Sequence, residues 1–241
     1  MEIVKENIAE VINLKFPDLK LETNTLYIVS TPIGNLEDIS FRAIYVLKNV
    51  DMIATEDTRV ASILLNHYGI KKKLISYYSQ VENSKVDYIT NFIKEGNSVA
   101  LISDAGTPCI SDPGSILVNK CIEENISVVS IPGASSLLHA LVLSGFKNEK
   151  FYFHGFLPQK KGREKTFTEL KNIKSNIIIF ESKFRIKKTM NELLKHLGNK
   201  EVLIAREMTK KFEEIHRGRL REINLNLIKE KGEFVIVINN T

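Results

Sequence analysis

The sequence lacks tryptophan and contains only two cysteines, Cys109 and Cys121. Their spacing fits neither a metal-binding motif nor the disulfide framework of a small secreted protein. The five histidines are scattered along the chain and form no HExxH-like pattern. We therefore expect no bound metal ion and no disulfide scaffold.

Long apolar segments are absent as well. No run approaches the roughly 20 apolar residues that a membrane-spanning helix needs. The first residues, MEIVKENIAEVINLKF, carry acidic and polar side chains early, which is not typical of a signal peptide. The hydrophobic fraction of 43% and the charged fraction of 26% are those of an ordinary globular protein. We expect a cytoplasmic protein that does not bind a membrane.

Three common catalytic and nucleotide-binding motifs are missing too. The sequence contains no GxGxxG dinucleotide fingerprint and no GxxxxGK[ST] phosphate-binding loop. The segment PGASS at residues 132–136 does not match the GxSxG nucleophile elbow. These absences argue against the usual dehydrogenases, nucleoside triphosphatases and α/β-hydrolases.

Charge is distributed unevenly along the chain. Residues 1–146 carry 12 Lys and Arg against 17 Asp and Glu, a net charge of −5. Residues 147–241 carry 22 against 12, a net charge of +10. A lysine-rich solvated surface could account for this excess, but the size of the asymmetry favours a polyanionic partner, and nucleic acid in particular.

Short apolar runs alternate five times with helical patterns in the first part of the chain, which predicts βαβ units and a mainly parallel sheet. The pattern breaks near residues 146–150, and a second α/β pattern follows, including a predicted helix around Leu220–Lys229. We predict three parts: an N-terminal extension over residues 1–23 that forms an amphipathic helix, an α/β domain over 24–146, and a basic α/β domain over 151–241.

Three loops follow predicted strands of the first domain, and in parallel α/β sheets ligands bind at the carboxyl ends of the strands. In the first loop, Ser30–Asp38, Pro32 stiffens the chain and Gly34 lets the backbone approach a ligand. A simple turn from strand to helix explains this segment equally well.

The second loop is Ser103–Gly114 (SDAGTPCISDPG). It is longer than an ordinary connection between a strand and a helix, which has about two to six residues. Asp104 can accept a hydrogen bond from a ribose hydroxyl or an amine. Asp112 as the N-cap and Pro113 as the first helical residue predict a helix start whose free N–H groups suit an anionic ligand. A capped surface loop explains the second half but not the first, so we favour ligand binding. The predicted contacts are Ser103, Asp104, Ala105, Gly106, Ser111 and Asp112.

The third loop is PGASS. Pro132 and Gly133 turn the chain away from its strand, and Ser135 and Ser136 can either cap the next helix or bind a ligand. Capping alone is a sufficient explanation, so this loop adds support only together with the other two.

The sequence contains seven motifs in this order: LYIVSTPIGNLEDISFRAI, EDTR, SDAGTPCISDPG, PGASS, FHGFLPQKKGRE, AREMTK and KGEF. Over about residues 25–237, their order and spacing resemble the tetrapyrrole methylases (class III methyltransferases), and among them the methyltransferases of small-subunit ribosomal RNA. The resemblance implies a two-domain α/β fold, with a mainly parallel N-terminal sheet and a smaller, mixed C-terminal sheet. It also implies a homodimer that uses S-adenosylmethionine.

The implied reaction is methyl transfer to the ribose 2′-oxygen of a cytidine in the decoding centre of 16S rRNA, so the expected partner is this RNA or the small ribosomal subunit. By resemblance, Met208, Thr209 and Gly232 contribute further cofactor contacts. Many members add a small helical domain after the last predicted strand, where this sequence stops, and we therefore expect other surfaces to hold the RNA.

Candidate catalytic residues are Glu56 and Asp57, at the end of the second predicted strand, and Lys210, which could stabilise an oxyanion or bind phosphate. Capping of a helix explains Asp57 at least as well as catalysis does. The basic residues that we predict to contact RNA phosphates are Arg59, Lys160, Lys161, Arg163, Lys183 and Arg185.

Two other functions stay open at this point. A methylase of the same fold that acts on a tetrapyrrole would explain the loops but not the basic C-terminal half. A non-catalytic, RNA-binding ribosome-assembly factor would explain the charge but not the intact loops.

Overall fold

The computed structural model describes residues 21–241, so nearly all of the predicted N-terminal extension lies outside the described residues. The chain divides into two compact units, the first ending at Ala134 and the second beginning at Ser135. No helix among residues 21–241 is long and apolar enough to cross a membrane.

The first unit is built on a sheet of five parallel strands in the order β3-β2-β4-β1-β5. The strands are β1 (Thr25–Val29), β2 (Met52–Thr55), β3 (Lys73–Ser76), β4 (Ser98–Ile102) and β5 (Ser127–Ile131). The helices between them are α1 (Phe41–Asn49), α2 (Thr58–His67), α3 (Glu82–Lys94) and α4 (Ser115–Glu123). The parallel sheet predicted from the alternating pattern is confirmed.

Helices cover both faces of this sheet. Leu47 of α1 and Leu65 of α2 belong to the apolar core on one face, while Ile89 of α3 and Leu117 of α4 belong to the core on the other. Because successive side chains of a strand point to opposite faces, a strand covered on both sides must be apolar throughout. This explains why β4 reads as an almost continuous apolar run and is buried along its whole length.

The second unit is built on a mixed sheet in the order β6-β7-β10-β8-β9. The strands are β6 (Phe151–Phe156), β7 (Asn176–Ser182), β8 (Glu201–Arg206), β9 (Glu214–Arg219) and β10 (Glu233–Ile238). The helices are α5 (Ser136–Ser144), α6 (Arg163–Asn172) and α7 (Ile186–Leu197). Strands β6 and β7 are parallel, whereas β10 runs antiparallel to both β7 and β8.

Helix α5 lies with the second unit, because it packs against β8 and β10. The sequence pattern had grouped this helix with the preceding strands, before the break near residues 146–150. Helices α6 and α7 supply the large apolar side chains, among them Phe167 and Leu193, that fill the main core of this unit.

The helix predicted around Leu220–Lys229 is wrong, because this segment consists of turns. The Asn224 side chain accepts a hydrogen bond from the backbone N–H of Asn226 at 3.1 Å, a local bond that competes with helix formation. Leu220 and Ile228 are nevertheless buried in the core. The apolar spacing therefore predicted correctly that these side chains are buried, but the helix it predicted is not formed.

Arg163 is buried within the second unit. Its Nη2 donates to Glu192 and to the Thr189 hydroxyl, both at 2.6 Å, and its Nη1 donates to the backbone oxygen of Pro158 at 2.8 Å. Only 6% of its side chain is exposed. These bonds hold the loop after β6 against α7, so the guanidinium is not available to an RNA phosphate.

Arg185 has a related role. Its Nε lies 2.8 Å from the fully buried Glu181 carboxylate, and its Nη1 donates to the backbone oxygen of Leu157 at 2.9 Å. Both arginines thus bind carbonyl groups of the same loop. Sequence alone showed them as positive charges in a basic segment and did not reveal that they point inward.

Candidate functional site

Strands β1 and β4 are neighbours in the first sheet, but their connections leave in opposite directions. The chain passes from β1 towards β2 on one side and from β4 towards β5 on the other. In open α/β sheets a crevice forms at the carboxyl ends of such a pair, and ligands bind there. The loops that follow these two strands are the first and second loops identified from the sequence.

The two loops are joined by backbone hydrogen bonds. The N–H of Thr31 donates to the oxygen of Gly106 at 2.8 Å, and the N–H of Gly106 donates to the oxygen of Thr31 at 3.1 Å. The hydroxyl of Ser30 also donates to that of Thr107 at 3.1 Å. Thr31 and Thr107 were not predicted as site residues, because no sequence signal indicates a pairing between segments 75 residues apart.

The third loop meets the same point. The N–H of Ser30 donates to the oxygen of Ile131 at 3.2 Å, and the hydroxyl of Thr107 donates to the oxygen of Ala134 at 3.3 Å. A Cβ atom on Gly133 would lie only 2.8 Å from the Cβ of Ser30, so glycine is required for this approach. The three predicted loops therefore come together, with Pro132 and Gly133 exposed at their junction.

Ser135 and Ser136 lie at the start of α5, in the second unit. Ser135 occupies the N-cap position, but its side chain forms no capping hydrogen bond. Capping therefore does not account for this serine hydroxyl, and its predicted role in cofactor binding stays a prediction.

The second loop contains an unusual number of left-handed backbone conformations. The φ angle is +70° at Cys109 and +64° at Ser111, besides +85° at Gly106 and +134° at Gly114. Residues other than glycine adopt such angles at a cost of about 1–3 kcal/mol each, and such strain clusters at functional sites. The strain therefore supports a binding role for this loop.

The start of α4 differs from the prediction. The helix begins at Ser115 with Gly114 as its N-cap, so the assignment of Asp112 as the N-cap is wrong. The N–H of Gly114 donates to Oε1 of Glu82 at 2.8 Å, and Glu82 is 8% exposed. The amide at this helix start thus already binds a carboxylate of the chain itself, and Glu82 anchors the far end of the second loop.

Asp57 links the end of β2 to the second loop. Its N–H donates to the carboxylate of Asp104 at 3.1 Å. Its own carboxylate caps α2 by accepting from the N–H of Arg59 at 2.8 Å, which confirms the capping role. Hydrogen bonds from the side chain and backbone of Arg59 lower the pKa of Asp57 to about 2. A carboxylate with so low a pKa is a weak general base at neutral pH.

Glu56 lies in a different environment. Burial raises the pKa of Glu56 above its ordinary value, and the negative charges of Asp104 and Asp57 raise it further. The pKa of Asp104 is also raised, mainly by burial. Because a general base works best when its pKa approaches the working pH, Glu56 is better suited than Asp57 to accept a proton.

Lys210, in the second unit, is held by two carboxylates. Its Nζ lies 3.0 Å from Glu207 and 2.9 Å from Glu233. Burial alone would lower the pKa of Lys210, but the hydrogen bonds to Glu233 and Glu207 outweigh this effect and raise it. The charge of Lys210 is therefore retained but largely neutralised, which weakens the expectation that it binds phosphate.

The remaining predicted residues of the second unit lie beside this ion pair. Met208 and Thr209 follow Glu207 in a turn where Glu207 and Thr209 have positive φ angles of +51° and +65°. A Cβ atom on Gly232 would overlap the Glu207 carboxyl group. The structure thus brings Met208, Thr209 and Gly232 together, at a second strained turn.

Within residues 21–241, no group of three or more His, Cys, Asp or Glu side chains is arranged to hold a metal ion. Both cysteines are free thiols, and burial raises the pKa of each to about 11. Such thiols are largely protonated at neutral pH and are poor nucleophiles.

Comparison with known proteins gives these loops a family context. Residues 25–224 match the family model of the tetrapyrrole (corrin/porphyrin) methylases. The chain is 47% identical over 221 residues to ribosomal RNA small subunit methyltransferase I of Halalkalibacterium halodurans. The aligned region covers 90% of this chain and 76% of that protein. The chain belongs to the tetrapyrrole methylase family.

The chain is also 45% identical over 216 residues to ribosomal RNA small subunit methyltransferase I of Thermotoga maritima. That alignment covers 89% of this chain and 97% of the Thermotoga protein. The fold is similar to that of uroporphyrin-III C-methyltransferase from Thermus thermophilus, whose structure was solved with S-adenyl homocysteine. The TM-score is 0.64 at 16% identity, over 89% of this chain and 97% of that one. The two-domain methylase fold expected from the motifs is thereby confirmed.

We predict that Gly114→Ala destabilises the first unit by about 1–3 kcal/mol. The φ angle of +134° disfavours alanine, and the new Cβ would lie 2.6 Å from both the Cys109 Sγ and a Leu101 methyl group. The matched control is Gly96→Ala, because Gly96 has a φ angle of +98° but nothing within 4 Å of the added Cβ. Urea unfolding followed by circular dichroism measures both variants, and equal losses would contradict the close packing of this loop.

Proposed function

We propose that this chain is an S-adenosylmethionine-dependent methyltransferase that methylates the ribose 2′-oxygen of a cytidine in 16S rRNA of the small ribosomal subunit. The observation that carries the proposal is the hydrogen-bonded meeting of three loops at the β1–β4 switch point, in a chain of a methylase family. The names of its relatives support the ribosomal substrate. The S-adenyl homocysteine complex of a protein with this fold supports the methyl donor.

The polar groups and exposed backbone of the loops fit S-adenosylmethionine as a ligand. Asp104 is exposed as a residue, although its carboxylate is partly desolvated, and this group can accept hydrogen bonds from ribose hydroxyls or from an ammonium group. The exposed backbone of Ala105 and Gly34 is open to close approach. Ser103 and Gly106 are buried and keep the loop in shape. Additional proposed contacts to the methyl donor are Pro32, Ser111, Asp112, Pro132, Gly133, Ser135, Ser136, Met208, Thr209 and Gly232.

The bound donor supplies a methyl group on a sulfonium sulfur, which is already a strong electrophile. The residues of the chain therefore have to align the ribose hydroxyl with this methyl group and accept its proton. Alignment can contribute up to roughly 7–11 kcal/mol, and a general base about 10²–10⁴-fold in rate. We assign the base to Glu56, whose carboxylate takes the proton as the oxygen–carbon bond forms and the carbon–sulfur bond breaks.

RNA contacts are proposed for exposed cations outside the buried ion pairs. Lys160, Lys161 and Lys183 are exposed on the basic second unit, and Arg59 is 88% exposed although it pairs with Asp57. Arg163 and Arg185 are left out, because both hold the loop after β6. The homodimer and the cytoplasmic location expected from the sequence stay predictions.

Glu56→Gln is predicted to lower kcat by about 10²–10⁴-fold and to leave the Kd for S-adenosylmethionine unchanged. Because the pKa of Glu56 is raised, wild-type kcat should fall as the pH is lowered through that raised value, and the variant should lose this acidic limb. Asp57→Asn is the matched control and should keep it. A full acidic limb in Glu56→Gln would eliminate Glu56 as the base.

The proposed function itself is tested by incubating the chain with radiolabelled S-adenosylmethionine and small ribosomal subunits that lack the ribose methyl group. We expect label in 16S rRNA, on a nucleotide that then resists alkaline cleavage, because 2′-O-methylation blocks attack on the adjacent phosphate. Label only in an added uroporphyrinogen would support a tetrapyrrole methylase. Binding of subunits without any transfer would support a non-catalytic assembly factor.

A further inference from the structure

Three strand ends lie along one edge of the second sheet. Strands β6 and β7 are parallel, and β7 and β8 both run antiparallel to β10, which lies between them. The carboxyl ends of β6, β7 and β8 therefore share one edge, which we call the carboxyl edge. Neighbouring strands are about 4.8 Å apart, so β6 and β8 are separated by about 14 Å.

An exposed phenylalanine stands at the end of β6, two residues after the end of β7, and in the turn that joins β8 to β9, six residues after β8. Phe156 is the last residue of β6 and is 54% exposed, Phe184 follows β7 and is 82% exposed, and Phe212 follows β8 and is 62% exposed. A single exposed apolar side chain is ordinary on a protein surface, but three at one edge indicate a binding surface. Because they are largely exposed, these rings contribute little to the core. Phe156 does contact the ring of Phe180 edge-on, with ring centres 5.6 Å apart, whereas no ring contact of this kind accounts for Phe184 or Phe212 among the described residues.

Lysines accompany these rings. The Nζ of Lys183 lies 4.9 Å from the centre of the Phe184 ring, and the Nζ of Lys211 lies 5.7 Å from that of Phe212. Lys160 is exposed in the loop after β6, close in sequence to Phe156. Across residues 21–241, none of these three lysines forms an ion pair with a carboxylate.

The acidic groups at the same edge offset only part of this charge. Glu207 and Glu233 share the single positive charge of Lys210, which leaves one net negative charge. Glu213, whose carboxylate accepts a hydrogen bond from the N–H of Thr209 at 2.6 Å, adds a second negative charge against the three lysines. The carboxyl edge thus combines unpaired ammonium groups with flat apolar rings.

We propose that the carboxyl edge binds unpaired RNA, with bases stacked on Phe156, Phe184 and Phe212 and phosphates beside Lys160, Lys183 and Lys211. Aromatic platforms next to cations hold single strands, because every base offers a flat face while the lysines bind the backbone. A duplex hides those faces, so such an edge favours loops and splayed nucleotides. The inference deepens the proposed function, on which it rests, by naming the kind of RNA that the enzyme holds.

The test measures the fluorescence anisotropy of a labelled RNA of about 12 nucleotides without self-complementarity, titrated with the full chain. Phe184→Ala is expected to weaken binding about 5- to 150-fold, with no change in its dependence on salt. Phe184→Trp should bind the labelled RNA as tightly as wild type does. Lys183→Ala should instead reduce the slope of log K against log salt by about 1.

The matched controls lie at the opposite edge of the same sheet. Phe151→Ala removes an exposed phenylalanine at the start of β6, and Lys174→Ala removes an exposed lysine before β7. Neither should change the affinity for RNA. Equal affinity of wild type for the unpaired RNA and for a duplex of the same length would overturn the proposal.

Two further outcomes separate this inference from the proposed function. If Phe184→Ala binds RNA like wild type but the wild-type chain methylates small subunits, the stacking surface is refuted and the proposed function stands. If Phe184→Ala changes the sedimentation coefficient of the chain but not its RNA affinity, the edge binds protein, and the proposal is overturned. If binding weakens as expected but wild type transfers no methyl group, the surface stands and the proposed function falls.

Discussion

The backbone pairing of Thr31 with Gly106 is the constraint on which the rest of the site depends. Two hydrogen bonds of 2.8 and 3.1 Å join the loops that leave β1 and β4, at the point where the connections of these strands run in opposite directions. Without this pairing, the loops would be separate surface segments. With it, Ser30 and Thr107 reach each other and the turn at Gly133, and Asp104 is placed beside the carboxylates at the end of β2.

The second loop is held at both ends, which explains how it tolerates its strained backbone. Asp104 accepts a hydrogen bond from the N–H of Asp57 near one end, and Glu82 accepts one from the N–H of Gly114 at the other. Positive φ angles at Cys109 and Ser111 lie between these anchors. A conformation fixed in this way is preorganised, so a ligand does not have to order the loop when it binds.

The second unit uses the same principle with ionic groups. Arg163 and Arg185, with their carboxylate partners, hold the carbonyl groups of the loop after β6, and Lys210 holds Glu207 beside Gly232. Cations that the sequence places in one basic half therefore divide into two kinds. Some are buried and build the loops, while others, such as Lys183, stay exposed and available to a polyanion.

Much of the fold followed from the sequence, because hydrophobic periodicity and Gly and Pro positions are local signals. The five strands of the first sheet and the three loops after them could be predicted in this way. The buried state of Arg163 and the pairing of Thr31 with Gly106 could not, since both depend on contacts between distant segments. The helix expected near Leu220 failed for a related reason: apolar spacing reports burial, and turns can bury the same side chains.

Glu56 and Asp57 show the same limit of prediction from sequence alone. Sequence placed Glu56 and Asp57 side by side and offered no way to rank them as a base. Their environments separate them, because Arg59 lowers the pKa of Asp57 to about 2, whereas burial raises that of Glu56. Side chains adjacent in sequence thus acquire opposite electrostatic properties from their partners in space.

The central claim is that the crevice at the β1–β4 switch point holds the methyl donor. Hydrogen–deuterium exchange with and without saturating S-adenosylhomocysteine tests it most directly, with binding confirmed by calorimetry on the same sample. The account predicts that the ligand slows exchange of amides in residues 31–36 and 104–112. Calorimetric binding with unchanged exchange in both segments, or no binding at all, would contradict it.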